Sequence, residues 1–277
     1  MNERMLEKKA AWLRRSLFDM FLVAKQGHPG SVMSQVEILT TLFYGGVIRY
    51  EQGNAHVNWR DKIIISKGHA TMGLYPIFSD LGYFNKKELD YFGTPDGLLK
   101  LFGNIRIPGI DATSGSLGHG LGIGVGYAIA ARHDGLNNRT FVVISEGEMY
   151  EGSIWESALG AAHRKLDNLI VIIDRNRKII LGDTEDLTKL EPIAEKWDAF
   201  GFHTITVNGH SFRELLEAFS QIGQTDSKPL VVIANTVKGM GIPLMENKAE
   251  WHYWQGMDRN TEDEIRRNLL ARENSLQ

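Results

Sequence analysis

Glu146 and Asn176 each stand just beyond an apolar run, TFVVIS at 140–145 and NLIVIID at 168–174. A carboxylate, an amide oxygen and a nearby backbone carbonyl form a hard-oxygen set suited to Mg²⁺, completed by water and ligand phosphates. Gly147 leaves room for a phosphate to approach the backbone. Acids at strand ends also serve as caps for the next helix, so the spacing alone reads either way. Three histidines add to it: His28 in QGHPG, His69 in SKGHA and His252 in EWHYW. Each lies among Gly, Pro or Trp rather than on an apolar helix face. A lone imidazole in such a place is often only a surface or hydrogen-bonded group, and three weigh toward proton transfer or hydrogen bonding to a ligand. Four acids, Glu146, Glu148, Glu151 and Glu156, also crowd into SEGEMYEGSIWE. Unpaired carboxylates beside a sheet core are costly to bury, so they must hold something.

The elements that position these residues read as an α/β fold. Strands are expected at KIIIS (62–66), 140–145, 168–174, HTITV (203–207) and PLVVIANT (229–236), with helices at EGSIWESALGAAHRKLD and SFRELLEAFSQIG. Apolar strands alternating with amphipathic helices predict a doubly wound, mostly parallel sheet covered on both faces. Ligands bind outside the carboxyl ends of such strands. The crossover between the second and third strands brings Glu146 and Asn176 side by side. SGSLGHGLGIGVGYAIAARH (114–133) is glycine-rich enough to weaken an isolated helix. It fits either a helix packed tightly in the core or one whose first turn is pressed by a ligand or a second protein chain. One domain over 1–277 is expected, with an N-terminal helix within 1–25 and a charged C-terminal helix at 260–277.

The net charge of −3, without long runs of one sign, gives no nucleic-acid footprint, and the apolar share of 43% is ordinary for a globular core. The absence of cysteine excludes disulfides, thiolate metal sites and a Cys nucleophile. No apolar segment reaches the roughly 18 residues that span a bilayer, and the N-terminus lacks a signal peptide's apolar block. The expectation is a cytoplasmic protein that binds neither membrane nor nucleic acid.

GHPGS, SKGHA, SGSLGHGLG, EGEMYEGSIWESALGAAHRKLDNLIVIIDRN and TVKGMG followed by EWH resemble, in the same order, the N-terminal, diphosphate-binding half of transketolase, from about residue 8 to about 255. The resemblance implies thiamine diphosphate with Mg²⁺, or another divalent cation such as Ca²⁺ or Mn²⁺, and transfer of a two-carbon ketol unit between sugars or sugar phosphates. It assigns the metal to Glu146, Asn176 and the backbone carbonyl of Lys178. It places Ser116, Leu117, Gly118, Gly147, Glu148, Lys238, His69 and His252 at the cofactor, with Leu117 touching the thiamine ring system. Glu148 is also expected to cap the helix that follows it. His28, Asn104 and His252 fall on the substrate side. Glu151 and Glu156 match acids of a proton-sharing network between paired active sites, a device open to buried like-charged carboxylates.

Three departures from the family pattern stand out. The metal motif reads SEG rather than GDG, one methylene longer at the carboxylate. FGNI stands where the family has GHPE, so Asn104 replaces a histidine and cannot carry charge. The family glutamate that activates the aminopyrimidine, and the groups that bind substrate phosphate, belong to a following domain. The resemblance therefore implies a split enzyme, with a separate chain carrying the pyrimidine-binding and C-terminal domains in an α2β2 assembly. The alternatives are another thiamine-diphosphate enzyme subunit, deoxyxylulose-phosphate-synthase-like or of the 2-oxo acid type, and a non-catalytic regulatory subunit.

Overall fold

The structure, a computed structural model, describes residues 3–276. Five parallel strands, β1 (Lys62–Ile65), β2 (Thr140–Ser145), β3 (Leu169–Arg175), β4 (His203–Asn208) and β5 (Leu230–Asn235), lie in the order β1-β2-β3-β5-β4. Every expected strand is present, with ends that differ by a residue or so. Central β3 pairs with β2 through Val142↔Val171 and with β5 through Val171↔Val231. All seven of its residues are buried, as a strand covered on both faces must be.

The two-residue period of a strand sends alternate side chains to opposite cores. Phe141, Val143, Ile170, Ile172 and Val232 enter one core, packed beneath α1 (Glu3–Ala24), α2 (Pro29–Ser34), α3 (Val36–Tyr44), α4 (Tyr75–Asp80), α9 (Phe212–Phe219) and α10 (Arg259–Ser275). Val142, Ile144, Val171, Ile173 and Val231 enter the other, beneath α5 (Gly120–His133), α6 (Gly152–His163) and α8 (Ile193–Ala199), with short α7 (Thr184–Leu187) preceding α8. Each fully buried aliphatic side chain contributes about 1.5–3 kcal/mol relative to exposure, so this alternation fixes the register. Among the described residues, no helix is long and apolar enough to cross a membrane.

The glycine-rich stretch 114–133 becomes helical only from Gly120. A Cβ at Gly120 would sit 2.3 Å from Ser66 Oγ, and one at Gly124 2.4 Å from Val142 Cγ2. These glycines let α5 lie directly on β1 and β2, which accounts for them by tight packing. Helices α2 and α3, which follow the GHPG turn, have no counterpart among the sequence expectations; Pro29 opens α2 at a position where its missing N–H costs nothing.

The sheet's carboxyl edge delivers four turns to one place. They are Ser66–Lys67 after β1, Ser145–Gly147 after β2, Arg175–Lys178 at the end of β3 and Thr236–Lys238 after β5. WHYW closes the group from the side. Trp251 is buried and Trp254 stacks on Phe21 with ring centroids 5.8 Å apart, while the Trp254 N–H donates to the Gly27 carbonyl at 2.8 Å. The two tryptophans pack within the chain and leave His252 and Tyr253 turned toward the sheet edge.

Candidate active site

A cleft of about 460 Å³ opens at that edge. Of the sequence-predicted residues, His28, His69, Leu117, Gly147, Glu151, Asn176, Lys178, Lys238 and His252 line it.

The three imidazoles form a triangle. Their ring centroids lie 4.8 Å (His28–His69), 5.3 Å (His28–His252) and 5.5 Å (His69–His252) apart. Burial, with the Lys238 ammonium second, pushes His28 down to about 4 and His252 down to about 3. Burial, with His28 next, holds His69 well below its ordinary range. All three are therefore neutral near pH 7, each with one N–H to donate and one lone pair to accept. His28 Nδ1 and His69 Nε2 are buried without a hydrogen-bond partner. Unsatisfied buried polar atoms are costly, and a ligand in the cleft would satisfy them.

Lys238 supplies the positive charge. Its side chain is 1% exposed, and its Nζ reaches only Ser31 Oγ and His252 Nδ1, each at 3.4 Å. Among the described residues no carboxylate pairs with it. Burial, opposed by Asp174, brings it down to about 8. A buried ammonium with long contacts and no counter-ion suits an anionic ligand.

Beneath the cleft, residues that the sequence reading did not single out fix these groups. Lys67 and Asp174 form a fully buried ion pair between the ends of β1 and β3. Lys67 Nζ also donates to the Ser31 carbonyl at 2.9 Å, Ser34 Oγ donates to Asp174 Oδ2 at 2.5 Å, and Thr236 Oγ1 donates to Asp174 Oδ1. Burial by itself would raise Asp174, but Lys67 and the two hydroxyls outweigh it and hold the carboxyl below its usual range. Behind β5, the Val237 N–H donates to His210 Nε2, and His210 Nδ1 meets Glu37 Oε2, both at 2.8 Å. Arg14 Nη2 closes the chain on Glu37 at 2.7 Å. This triad anchors the backbone next to Lys238. The triad's members are far apart in sequence, and none of His210, Glu37 and Arg14 lies inside a motif that the sequence marks out, whereas Ser31, Lys67, Asp174 and Thr236 of the ion-pair network do.

Glu146 is 1% exposed. Its Oε2 accepts from Arg175 Nη1 at 2.9 Å, and its Oε1 is buried with no partner. Burial outweighs the guanidinium and raises its carboxyl to about 8. Asn176 Oδ1 accepts from the Lys178 N–H at 3.2 Å, so the amide oxygen and the Lys178 backbone share one turn. Among the described residues, no cluster of three His, Cys, Asp or Glu side chains converges as a metal site. A single carboxylate with an unsatisfied oxygen, joined by amide and carbonyl oxygens, nonetheless fits a hard cation that takes its other ligands from water and phosphate.

Several expectations need correction. Glu148 neither caps α6 nor lines the cleft; it is fully buried, and its Oε1 accepts from Ser66 Oγ and from the Gly118 N–H at 2.8 Å. It braces the turn in which Gly118 has φ +85°. Ser116 is exposed and lines a smaller hollow beside His119. Asn104 does not line the cleft, because its Oδ1 closes a local turn by accepting the Arg106 N–H at 2.9 Å. Its neighbour Phe102 lines the mouth instead, together with Tyr253, whose ring centroid is 4.9 Å from that of His28. The space at Gly147 is filled from within, since a Cβ there would sit 2.6 Å from Ile179 Cγ2. Glu151 and Glu156 need no such correction: both are exposed on this single chain.

Residues 6–269 match the family described as transketolase, thiamine diphosphate binding domain. A subunit of the apulose-4-phosphate transketolase of Phocaeicola vulgatus is 35% identical over 266 residues, covering 96% of this chain and 94% of that protein. The protein of the same name from Actinobacillus succinogenes is 40% identical over 252 residues, covering 90% of each. The crystal structure of transketolase from Campylobacter jejuni superposes with a TM-score of 0.87 at 25% identity, over 100% of this chain and 48% of that one. The chain thus spans nearly all of the subunit-sized relatives and about half of the solved transketolase.

Proposed function

This chain belongs to the transketolase family, as its thiamine-diphosphate-binding domain, and from that premise we propose that it is the N-terminal subunit of a two-chain transketolase. The activity proposed is transfer of a two-carbon ketol unit from a ketose or ketose-phosphate donor to an aldose acceptor. A separate subunit with the pyrimidine-binding and C-terminal domains completes the site, in an α2β2 assembly in the cytoplasm. One observation carries the reading: three neutral imidazoles and an unpaired buried lysine converge on the cleft where the sheet ends.

Thiamine diphosphate, when bound, supplies the carbanion chemistry of ketol transfer. With the cofactor bound, the Lys238 ammonium would balance diphosphate charge, Glu146, Asn176 and the Lys178 carbonyl would hold Mg²⁺, and Leu117 would supply apolar contact for the cofactor. His69 and His252 donate N–H groups to oxygen atoms on which charge develops, and a neutral ring's lone pair accepts a hydroxyl proton. His28 and Tyr253 face the substrate with Phe102 at the mouth, so recognition there is more aromatic and less charged than a histidine at position 104 would make it. Glu151 and Glu156, exposed on this chain, are placed to meet the partner subunit.

The test is turnover of a ketose and aldose pair with thiamine diphosphate and Mg²⁺, for the full chain alone and with its partner subunit. Only the pair is expected to be active, and turnover by the rigorously purified single chain refutes the two-chain reading. Glu146→Gln should weaken Mg²⁺-dependent cofactor binding by about tenfold or more; unchanged affinity by calorimetry removes Glu146 from the metal site.

A further inference from the structure

The carboxylate of Glu146 is one methylene longer than an aspartate in the same place, and a longer side chain has more ways to miss its ligand. Arg175, the last residue of β3, lies directly before Asn176 and is 3% exposed. Its guanidinium uses different nitrogens for different carboxylates: Nη1 donates to Glu146 Oε2 at 2.9 Å and Nη2 to Glu191 Oε1 at 2.5 Å, with Glu185 Oε1 at 3.9 Å. A planar fork held at both ends has little freedom to turn. The Glu146 oxygen it grips is fixed, and the other, Oε1, has no partner.

We propose that Arg175 is a positioning residue for the metal site, holding Glu146 so that one carboxylate oxygen alone faces the divalent cation. This rests on the assignment of Glu146 as a metal ligand above. The consequence concerns which cation is accepted. Mg²⁺ requires near-octahedral, single-oxygen ligation at short distance, whereas Ca²⁺ tolerates irregular geometry and takes carboxylates through both oxygens. Arg175 thereby keeps a longer carboxylate usable by the smaller ion. Repulsion between the guanidinium and the bound cation is common to both ions because they carry the same charge. The ratio of their affinities therefore reports geometry.

The experiment measures the Mg²⁺ and Ca²⁺ concentrations that half-saturate thiamine diphosphate binding, by calorimetry on the full chain with its partner subunit. In Arg175→Met both oxygens of Glu146 are released, and the Mg²⁺-to-Ca²⁺ preference should move toward Ca²⁺ by about tenfold. Arg175→Lys keeps a charge but not the fork and should give a smaller shift in the same direction; it carries the test if Arg175→Met does not fold. In a Glu146→Asp background, where the shorter side chain does not need the grip, Arg175→Met should change the ratio much less. A purely structural role would lower melting temperature and leave the ratio alone. An unchanged ratio, or an equal loss for both ions, overturns the role of Arg175. If neither ion supports cofactor binding in the unaltered protein, the metal assignment itself fails, and this inference with it.

Discussion

Lys238→Met isolates the cleft cation that, among the described residues, has no carboxylate partner. In the unliganded protein the ammonium is brought from 10.5 to about 8, chiefly by burial. At about 1.4 kcal/mol per pKa unit, holding it charged there costs about 3 kcal/mol. A diphosphate oxygen about 4 Å away would interact at about 4 kcal/mol per unit charge for an effective dielectric of 20, enough to offset that cost. Binding should therefore return the Lys238 pKa to its ordinary range or above. The sign follows: the ammonium is present below about 8, so the Lys238 contribution to cofactor affinity is full there and is lost as pH rises above about 8. At pH 9 about nine-tenths of the unliganded Lys238 side chain is neutral and takes up about 0.9 proton per site on binding, while Glu146, at about 8, is already about nine-tenths ionised and releases only about 0.1. Calorimetry at pH 9 in two buffers of different ionisation enthalpy reads this uptake directly. Lys238→Met should abolish the Lys238 uptake and weaken binding by about 2–3 kcal/mol, roughly thirty- to a hundred-and-sixtyfold. Equal heats in the two buffers at pH 9, or unaltered affinity in Lys238→Met, would refute the placement of the diphosphate beside Lys238.

His252→Ala should lower turnover by about 10²–10³ with the partner subunit present and leave assembly intact by light scattering, while His252→Asn recovers part of the loss; near-normal turnover in His252→Ala removes the residue from the chemistry. Because burial keeps His28 near 4 and His252 near 3, kcat should hold steady through pH 6.5 and fall only as the pH approaches about 4. An acid limb at 6.5 that disappears in His28→Asn would contradict neutral imidazoles. Lys67→Met leaves Asp174 buried without its cation and should cost about 3–5 kcal/mol, read from denaturant unfolding of the full chain; a loss below 1 kcal/mol would show that the pair does not lock β1 to β3.

The strands were legible because each is an unbroken aliphatic run between polar turns, and parallel pairing then places Glu146 and Asn176 together without any knowledge of side-chain contacts. The histidines were legible because Gly, Pro and Trp neighbours mark turns, and all three turns leave strand or helix ends at the same edge. Local motifs could not supply contacts made across long stretches of chain. Glu148 looked like a helix cap because it stands four residues before α6, yet the close seating of α5 on β1 brings Ser66 and the Gly118 N–H to it first. Asn104 looked like a substrate contact because of its position in the loop, yet an Asx turn within three residues takes up its amide oxygen. Nothing in IIDRN itself marks Arg175, whose guanidinium donates to Glu146, 29 residues away. In each case the residue type announced a capacity, and the choice among its possible partners was made by packing. Glu146, gripped by Arg175 on one oxygen and buried without a partner on the other, shows a capacity that packing among the described residues leaves unspent.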